Sequence, residues 1–352
     1  MINPKDVLLI YGAGGIGKSS RAAEAAEYTF KTSGKKTRVV NADGGGTSSA
    51  FENLVDAGIA EIWNVDQWEG TFAALQLASL GGWPSNPQTP NSPILLPTRE
   101  WRPCVFCEKD SGAKGLTMIG ACAACKKPFP PGTILKVEQE LLHGIEEVGL
   151  IVFEGMTAFG DLLLNRFRDI DKSSAAAVVK DGDATVVQVG MQHYLLAQNQ
   201  LMTFFSNCRR IPVETILWTA LELKSDEMGD TLYGPAGPGK KLTSLCIPKF
   251  TSVIHLDAVT KVQGGKRLTN PDGTEILERK MFLAPHYPID APGKRWVAKT
   301  SAPHGGGMPL VIESDMEVFF EELKKAKAAA KDKLLKNGLA PTLDGGLKEK
   351  QN

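Results

Sequence analysis

Gly12-Ala13-Gly14-Gly15-Ile16-Gly17-Lys18-Ser19 matches in full the phosphate-loop pattern G-x-x-x-x-G-K-S/T. The apolar run Val7-Leu8-Leu9-Ile10-Tyr11 precedes it and the helix-forming Ser20-Arg21-Ala22-Ala23-Glu24-Ala25-Ala26-Glu27 follows. A strand, a glycine-rich loop and a helix in that order fold the backbone around a triphosphate, with N–H groups and the positive helix end facing the anion. Gly12, Gly14, Gly15, Gly17, Lys18, Ser19 and Ser20 are therefore the candidate ATP-binding residues. Lys18 is placed to reach the β- and γ-phosphates, and the Ser19 hydroxyl to ligate magnesium.

Outward from the loop, strand and helix signals alternate. Lys36-Thr37-Arg38-Val39-Val40-Asn41-Ala42-Asp43 reads as a second buried strand ending in a carboxylate, and Ala60 to Val65 as a third. Ligands of an open parallel sheet sit beyond the carboxyl ends of its strands, so Asp43 is expected to face the crevice of the phosphate loop. Gly149-Leu150-Ile151-Val152-Phe153-Glu154 has the shape of the second nucleotide motif, with Glu154 as the acid of the magnesium shell where aspartate is usual. The pattern predicts an α/β, doubly wound sheet.

Further along, the sequence predicts a helix over 161–169, a polar loop around Lys180-Asp181-Gly182-Asp183, a long helix from Gln188 to Cys208 and a core strand over 212–220. Gly229 to Lys241 reads as a mobile basic loop. Three segments, 251–256, 276–283 and 295–299, are separated by turn signals and read as antiparallel strands. The last helix is expected over 314–335, with its lysines (324, 325, 327, 331, 333, 336) as a solvated face.

The 352 residues, 42% hydrophobic and 23% charged, are long enough for one large or two modest cores. Forty basic and forty acidic residues cancel, so no broad field attracts nucleic acid or an anionic membrane. The absence of a long apolar run or a basic-then-apolar leader leads to the expectation of a cytoplasmic protein without membrane association. After a proline- and glycine-rich stretch over 81–103, Cys104-Val105-Phe106-Cys107 and Cys122-Ala123-Ala124-Cys125 form two C-x-x-C knuckles fourteen residues apart. Cys104, Cys107, Cys122 and Cys125 are the expected ligands of a structural zinc ion, since four thiolates close a tetrahedral site with no open position. Cys208 and Cys246 are expected as buried thiols. His286 and His304 have nothing nearby in sequence that completes a metal or nucleophile set.

In this order of parts the chain resembles the RecA-like ATPases of bacteriophages, which include single-strand-annealing recombination proteins. The resemblance rests on the phosphate loop and on four later segments. These are Phe153-Glu154-Gly155-Met156-Thr157-Ala158-Phe159, Thr219-Ala220-Leu221-Glu222, Gly234-Pro235-Ala236-Gly237-Pro238-Gly239-Lys240 and Val297-Ala298-Lys299. It implies a RecA-like P-loop core over 1–100 and 131–313, a zinc module over 101–130, a small C-terminal antiparallel region, a helix over 314–336 and a disordered tail over 337–352. It further implies catalysis by Lys18, Asp43 and Glu154, with Lys299 reaching a neighbour's nucleotide. The cofactors implied are ATP and Mg2+, to which the cysteine spacing adds Zn2+; the partners implied are single-stranded DNA and further copies of the chain in a ring or filament. A helicase or packaging motor, or a nucleotide-gated scaffold with little turnover, are the alternatives. Departures from the family pattern are Asp43 for glutamate, Glu154 for aspartate and Leu221 where a histidine sensor would stand, which leaves Thr219 as a switch candidate.

Overall fold

The computed structural model describes residues 6–43, 46–65, 147–171, 175, 177–181, 184–209, 211, 213–227, 230–239, 241–287, 294–301, 307–336, 340–341 and 347–348. In chain order, β1 (Asp6–Gly12) leads through the phosphate loop into α1 (Lys18–Ser33), then β2 (Lys36–Asn41), α2 (Gly46–Asp56) and β3 (Ala60–Asn64). The four knuckle cysteines, and the zinc expectation with them, lie outside the described residues. The chain resumes with β4 (Val148–Glu154), α3 (Met156–Ile170), β5 (Ala177–Asp181), β6 (Ala184–Gln188) and α4 (Met191–Cys208). Next come β7 (Thr215–Glu227), β8 (Asp230–Pro235), α5 (Lys241–Cys246), β9 (Ser252–Thr260), β10 (Val262–Gln263), β11 (Lys266–Arg267) and β12 (Leu277–Phe282). The chain finishes with β13 (Lys294–Trp296), β14 (Lys299–Thr300), β15 (Val311–Glu313), α6 (Met316–Lys336), β16 (Ala340–Pro341) and β17 (Leu347–Lys348).

The fold is α/β, with a mainly parallel central sheet in the order β15-β12-β9-β1-β7-β4-β2-β3. The strands from β9 to β3 run parallel, while β12 and β15 continue the sheet antiparallel at one edge. β7 thus separates the strand of the phosphate loop from the strand of Glu154. β1 is buried from Val7 to Gly12 because both faces of a parallel sheet are covered by helices. Its side chains alternate between two cores. Val7, Leu9 and Tyr11 join Phe153, Phe159, Phe204, Phe205 and Trp218 on the side of α3 and α4. Leu8 and Ile10 join the alanines of α1, Phe51 of α2 and Phe319 of α6 on the other. In the first core the Phe153 and Trp218 rings stack at 4.4 Å, and Phe204 meets Trp218 edge-on at 5.4 Å.

Four expectations change. The segment at 251–256 is not purely antiparallel: β9 runs parallel to β1 and is antiparallel only to β12. Its first five residues are buried and its last four are half-exposed, because it continues past the end of β1. Within the 229–241 segment Asp230–Pro235 is a strand, β8, which pairs antiparallel to the second half of β7. Charged residues there (Glu222, Lys224, Asp226, Glu227) hide the strand from a reading based on apolar runs. Lys180 and Asp181, expected in a loop, end strand β5, which pairs antiparallel to β6, and β13 runs parallel to β8. Among the described residues no helix is long and apolar enough to cross a membrane.

Candidate nucleotide site

The site is built at the tips of β1, β4 and β2. Gly12 closes β1, and a Cβ there would stand 2.3 Å from the Leu256 carbonyl oxygen of β9. Only glycine lets the overshooting β9 pass. Gly17 is the N-cap of α1 with φ 101°, a left-handed conformation that side chains rarely adopt, and no side chain caps the helix. The first-turn N–H groups, including that of the exposed Ser20, are left to meet an anion. Gly14 lies in open space, and Gly15 also has positive φ, at 73°.

The Lys18 ammonium folds over the loop, donating to the carbonyl oxygens of Ala13 (2.7 Å) and Gly12 (3.1 Å). Burial pushes its pKa down, opposed by the carboxylates of Glu154, Asp43 and Glu222. The ammonium is thus held amid carboxylates in a partly desolvated cleft, a setting completed by an anionic ligand and its cation.

Glu154, at the tip of β4, is 2% exposed. Its Oε1 accepts a hydrogen bond from Ser19 Oγ at 2.6 Å, so the two residues assigned to magnesium are in direct contact. Among the described residues its Oε2 is buried with no partner in hydrogen-bond geometry, the Thr219 hydroxyl lying near the carboxyl but accepting from the Gly155 N–H. Burial pushes the carboxyl up to about 7, against the hydroxyls of Ser19 and Thr219. An unpartnered buried carboxylate oxygen beside a serine hydroxyl is a donor set that fits a hard divalent cation.

After Glu154 the chain turns through Gly155 (φ 91°), whose N–H donates to Thr219 Oγ1 at 2.9 Å. Thr219, the switch candidate, is therefore tied to the end of β4 from the centre of the sheet. Asp43 lies beside this turn: a Cβ on Gly155 would stand 2.8 Å from the Asp43 Cβ. The register pairs Asn41 with Glu154, so Asp43, two residues on, lies beside the turn that follows Glu154. Asp43 is exposed; its N–H donates to Asn41 Oδ1 at 3.0 Å, and Asn41 is braced by Asn64 at 2.8 Å. Among the described residues its carboxylate has no partner.

Lys299 is not brought to this cleft. β14 pairs Lys299 with Val253, which lies beside Leu9, three positions before Gly12. Burial and the nearby Arg209 push its pKa down. Cys208 and Cys246 are buried free thiols, as expected.

A polar chain that no sequence motif signals lies beside the loop. Glu222 Oε2 accepts the Trp296 indole N–H at 3.0 Å and lies 2.9 Å from His255 Nε2. His255 Nδ1 is in turn 3.2 Å from His286 Nε2. His255 is buried and stacks on Tyr11 of β1 at 4.9 Å. Burial, then His255, pushes His286 down to about 4, so it is neutral at pH 7. His286 therefore ends a hydrogen-bonded chain assembled from β7, β9 and the segment after β12, with no spacing motif to reveal it, rather than a metal or nucleophile set. Among the described residues no group of three or more His, Cys, Asp or Glu could hold a metal ion.

No protein-family model matches the chain, and no curated protein sequence does. Among solved structures, the flagellar accessory protein FlaH from Methanocaldococcus jannaschii is 11% identical, covering 80% of this chain and 78% of its own, with a TM-score of 0.33. A KaiC-like protein from the archaeon Pyrococcus horikoshii OT3 is 9% identical, covering 80% and 79%, with a TM-score of 0.35. Likenesses this distant add no weight to the site, whose reading stands on the loop, the strand order and the distances above.

Proposed function

We propose that the chain binds ATP with magnesium at the tips of β1, β4 and β2 and hydrolyses it. The observation that carries this reading is the Ser19–Glu154 contact, with its unpartnered Glu154 Oε2, set beside Lys18 at the mouth of a complete phosphate loop. The loop N–H groups hold the phosphates and Lys18 neutralises their charge. Ser19 and Glu154 would hold magnesium, which when bound polarises the phosphate oxygens. Asp43, exposed beside Glu154, accepts a proton from the attacking water and orients it.

The finer parts rest on the resemblance alone: action on single-stranded DNA, self-association, and Lys299 completing a neighbour's site. The position of Lys299 away from its own loop is compatible with that last role. Zinc on Cys104, Cys107, Cys122 and Cys125 rests on their spacing.

Steady-state hydrolysis with magnesium, with and without a single-stranded oligonucleotide, tests the reading. Asp43→Asn is expected to lower turnover by about a hundredfold or more while leaving ATP affinity nearly unchanged. Turnover in Asp43→Asn equal to wild type would transfer the role to another carboxylate, Glu222 first. Tight ATP binding without turnover in the wild type would instead support a nucleotide-gated binding protein. Stimulation by the oligonucleotide would support the DNA reading, and its absence would remove it.

A further inference from the structure

We propose that Arg279 is a further phosphate-binding residue, which reaches the terminal phosphate of the nucleotide from within the same subunit. β12 is antiparallel to β9, so its N-terminal half lies at the end of the sheet where β9 has overrun the phosphate loop. Side chains two apart on a strand share a face. Met281 of β12 is buried in the core beneath α1, so Arg279 emerges on the α1 face one step nearer the loop. Its guanidinium Cζ, Nε and Nη1 each lie 3.8 Å from the Cβ position of Gly17, the residue directly before Lys18.

The other cations of this neighbourhood are committed. Lys280, on the opposite face of β12, pairs with Glu278 at 3.2 Å. Arg21 pairs with Glu24 and donates to the Ser314 carbonyl. Arg279 is exposed, and among the described residues no carboxylate or carbonyl engages its guanidinium. A guanidinium has five donors in a planar fork suited to phosphate oxygens. Lying against a left-handed glycine of a phosphate loop, it is placed where a triphosphate would supply the missing acceptors. The loop N–H groups serve the inner phosphates and Lys18 bridges the β- and γ-phosphates, which leaves further oxygens of the terminal phosphate to a group arriving from outside the loop.

This inference rests on the nucleotide reading of the loop, and the test separates the two. Fluorescent ATP and ADP analogues would be titrated, with magnesium, into wild type, Arg279→Ala, Arg279→Lys and Lys18→Ala. Arg279→Ala is expected to lose about tenfold or more in ATP affinity, the scale of one charge-assisted hydrogen bond, with ADP affinity within about twofold of wild type. Arg279→Lys should recover part of the loss, because it restores the charge without the fork. Unfolding midpoints without nucleotide should match wild type, as Arg279 is exposed. If wild type and Arg279→Ala bind both nucleotides alike while Lys18→Ala loses both, the assignment of Arg279 is wrong and the nucleotide site stands. Equal losses for ATP and ADP would also overturn it, since the contact would not be to the terminal phosphate. If wild type binds neither nucleotide, both readings fall.

Discussion

Glu154 is a buried acid whose proton is retained to about pH 7, against an ordinary value near 4.5. Because its folded-state pKa is raised, the folded form binds the proton more tightly than the unfolded chain does. Its contribution to stability is therefore fully present below about pH 4.5 and is lost as pH rises through about 7. The scale is roughly 3–4 kcal/mol for a carboxyl raised from 4.5 to about 7. Without magnesium or nucleotide, the stability difference between wild type and Glu154→Gln should fall by an amount of this order between pH 4.5 and 8, measured by urea unfolding. A pH-independent difference would mean that the carboxyl is not held protonated. Glu154 was legible in the sequence because an acid ending an apolar strand is a local pattern. Arg279, His255 and His286 were not, since their places depend on how far β9 and β12 overrun β1, and that is a matter of register rather than of spacing.

At the scale of elements, the overrun of β9 explains the first glycine of the loop. Its Leu256 carbonyl occupies the space of a Gly12 side chain. Gly12→Ala should force β9 away from β1 and lower stability by about 1–3 kcal/mol, the usual cost of overpacking a tight contact. Urea unfolding monitored by the buried Trp218 checks this; a midpoint equal to wild type would mean that the two strands separate freely there. The turn signal at Asn270-Pro271-Asp272-Gly273 correctly marked an antiparallel partner for β9. It carried no information about the other neighbour, and nothing local in Ser252–Leu256 distinguishes a strand paired parallel to β1. The second half of β7 was hidden for a different reason: it pairs with β8 beyond the sheet proper, where its charged side chains give no apolar run.

For the whole molecule, the two-faced burial of β1 and the strand order set the loop, Glu154 and Asp43 on one edge of the sheet. That convergence was foreseeable, because motifs at strand ends of a parallel sheet meet at its carboxyl edge. How β9 and β12 come to flank the loop was not, as it is set by their long-range pairing. The central claim is that this edge is a magnesium-dependent ATP site organised by Lys18. Titration calorimetry of ATP with magnesium, into wild type and Lys18→Ala, tests it most directly. The account predicts one saturable site in wild type and a loss of about a hundredfold or more in affinity in a folded Lys18→Ala protein, because no other group restores the lost phosphate contacts. Equal ATP affinity in the two proteins, or no binding to wild type, would contradict it.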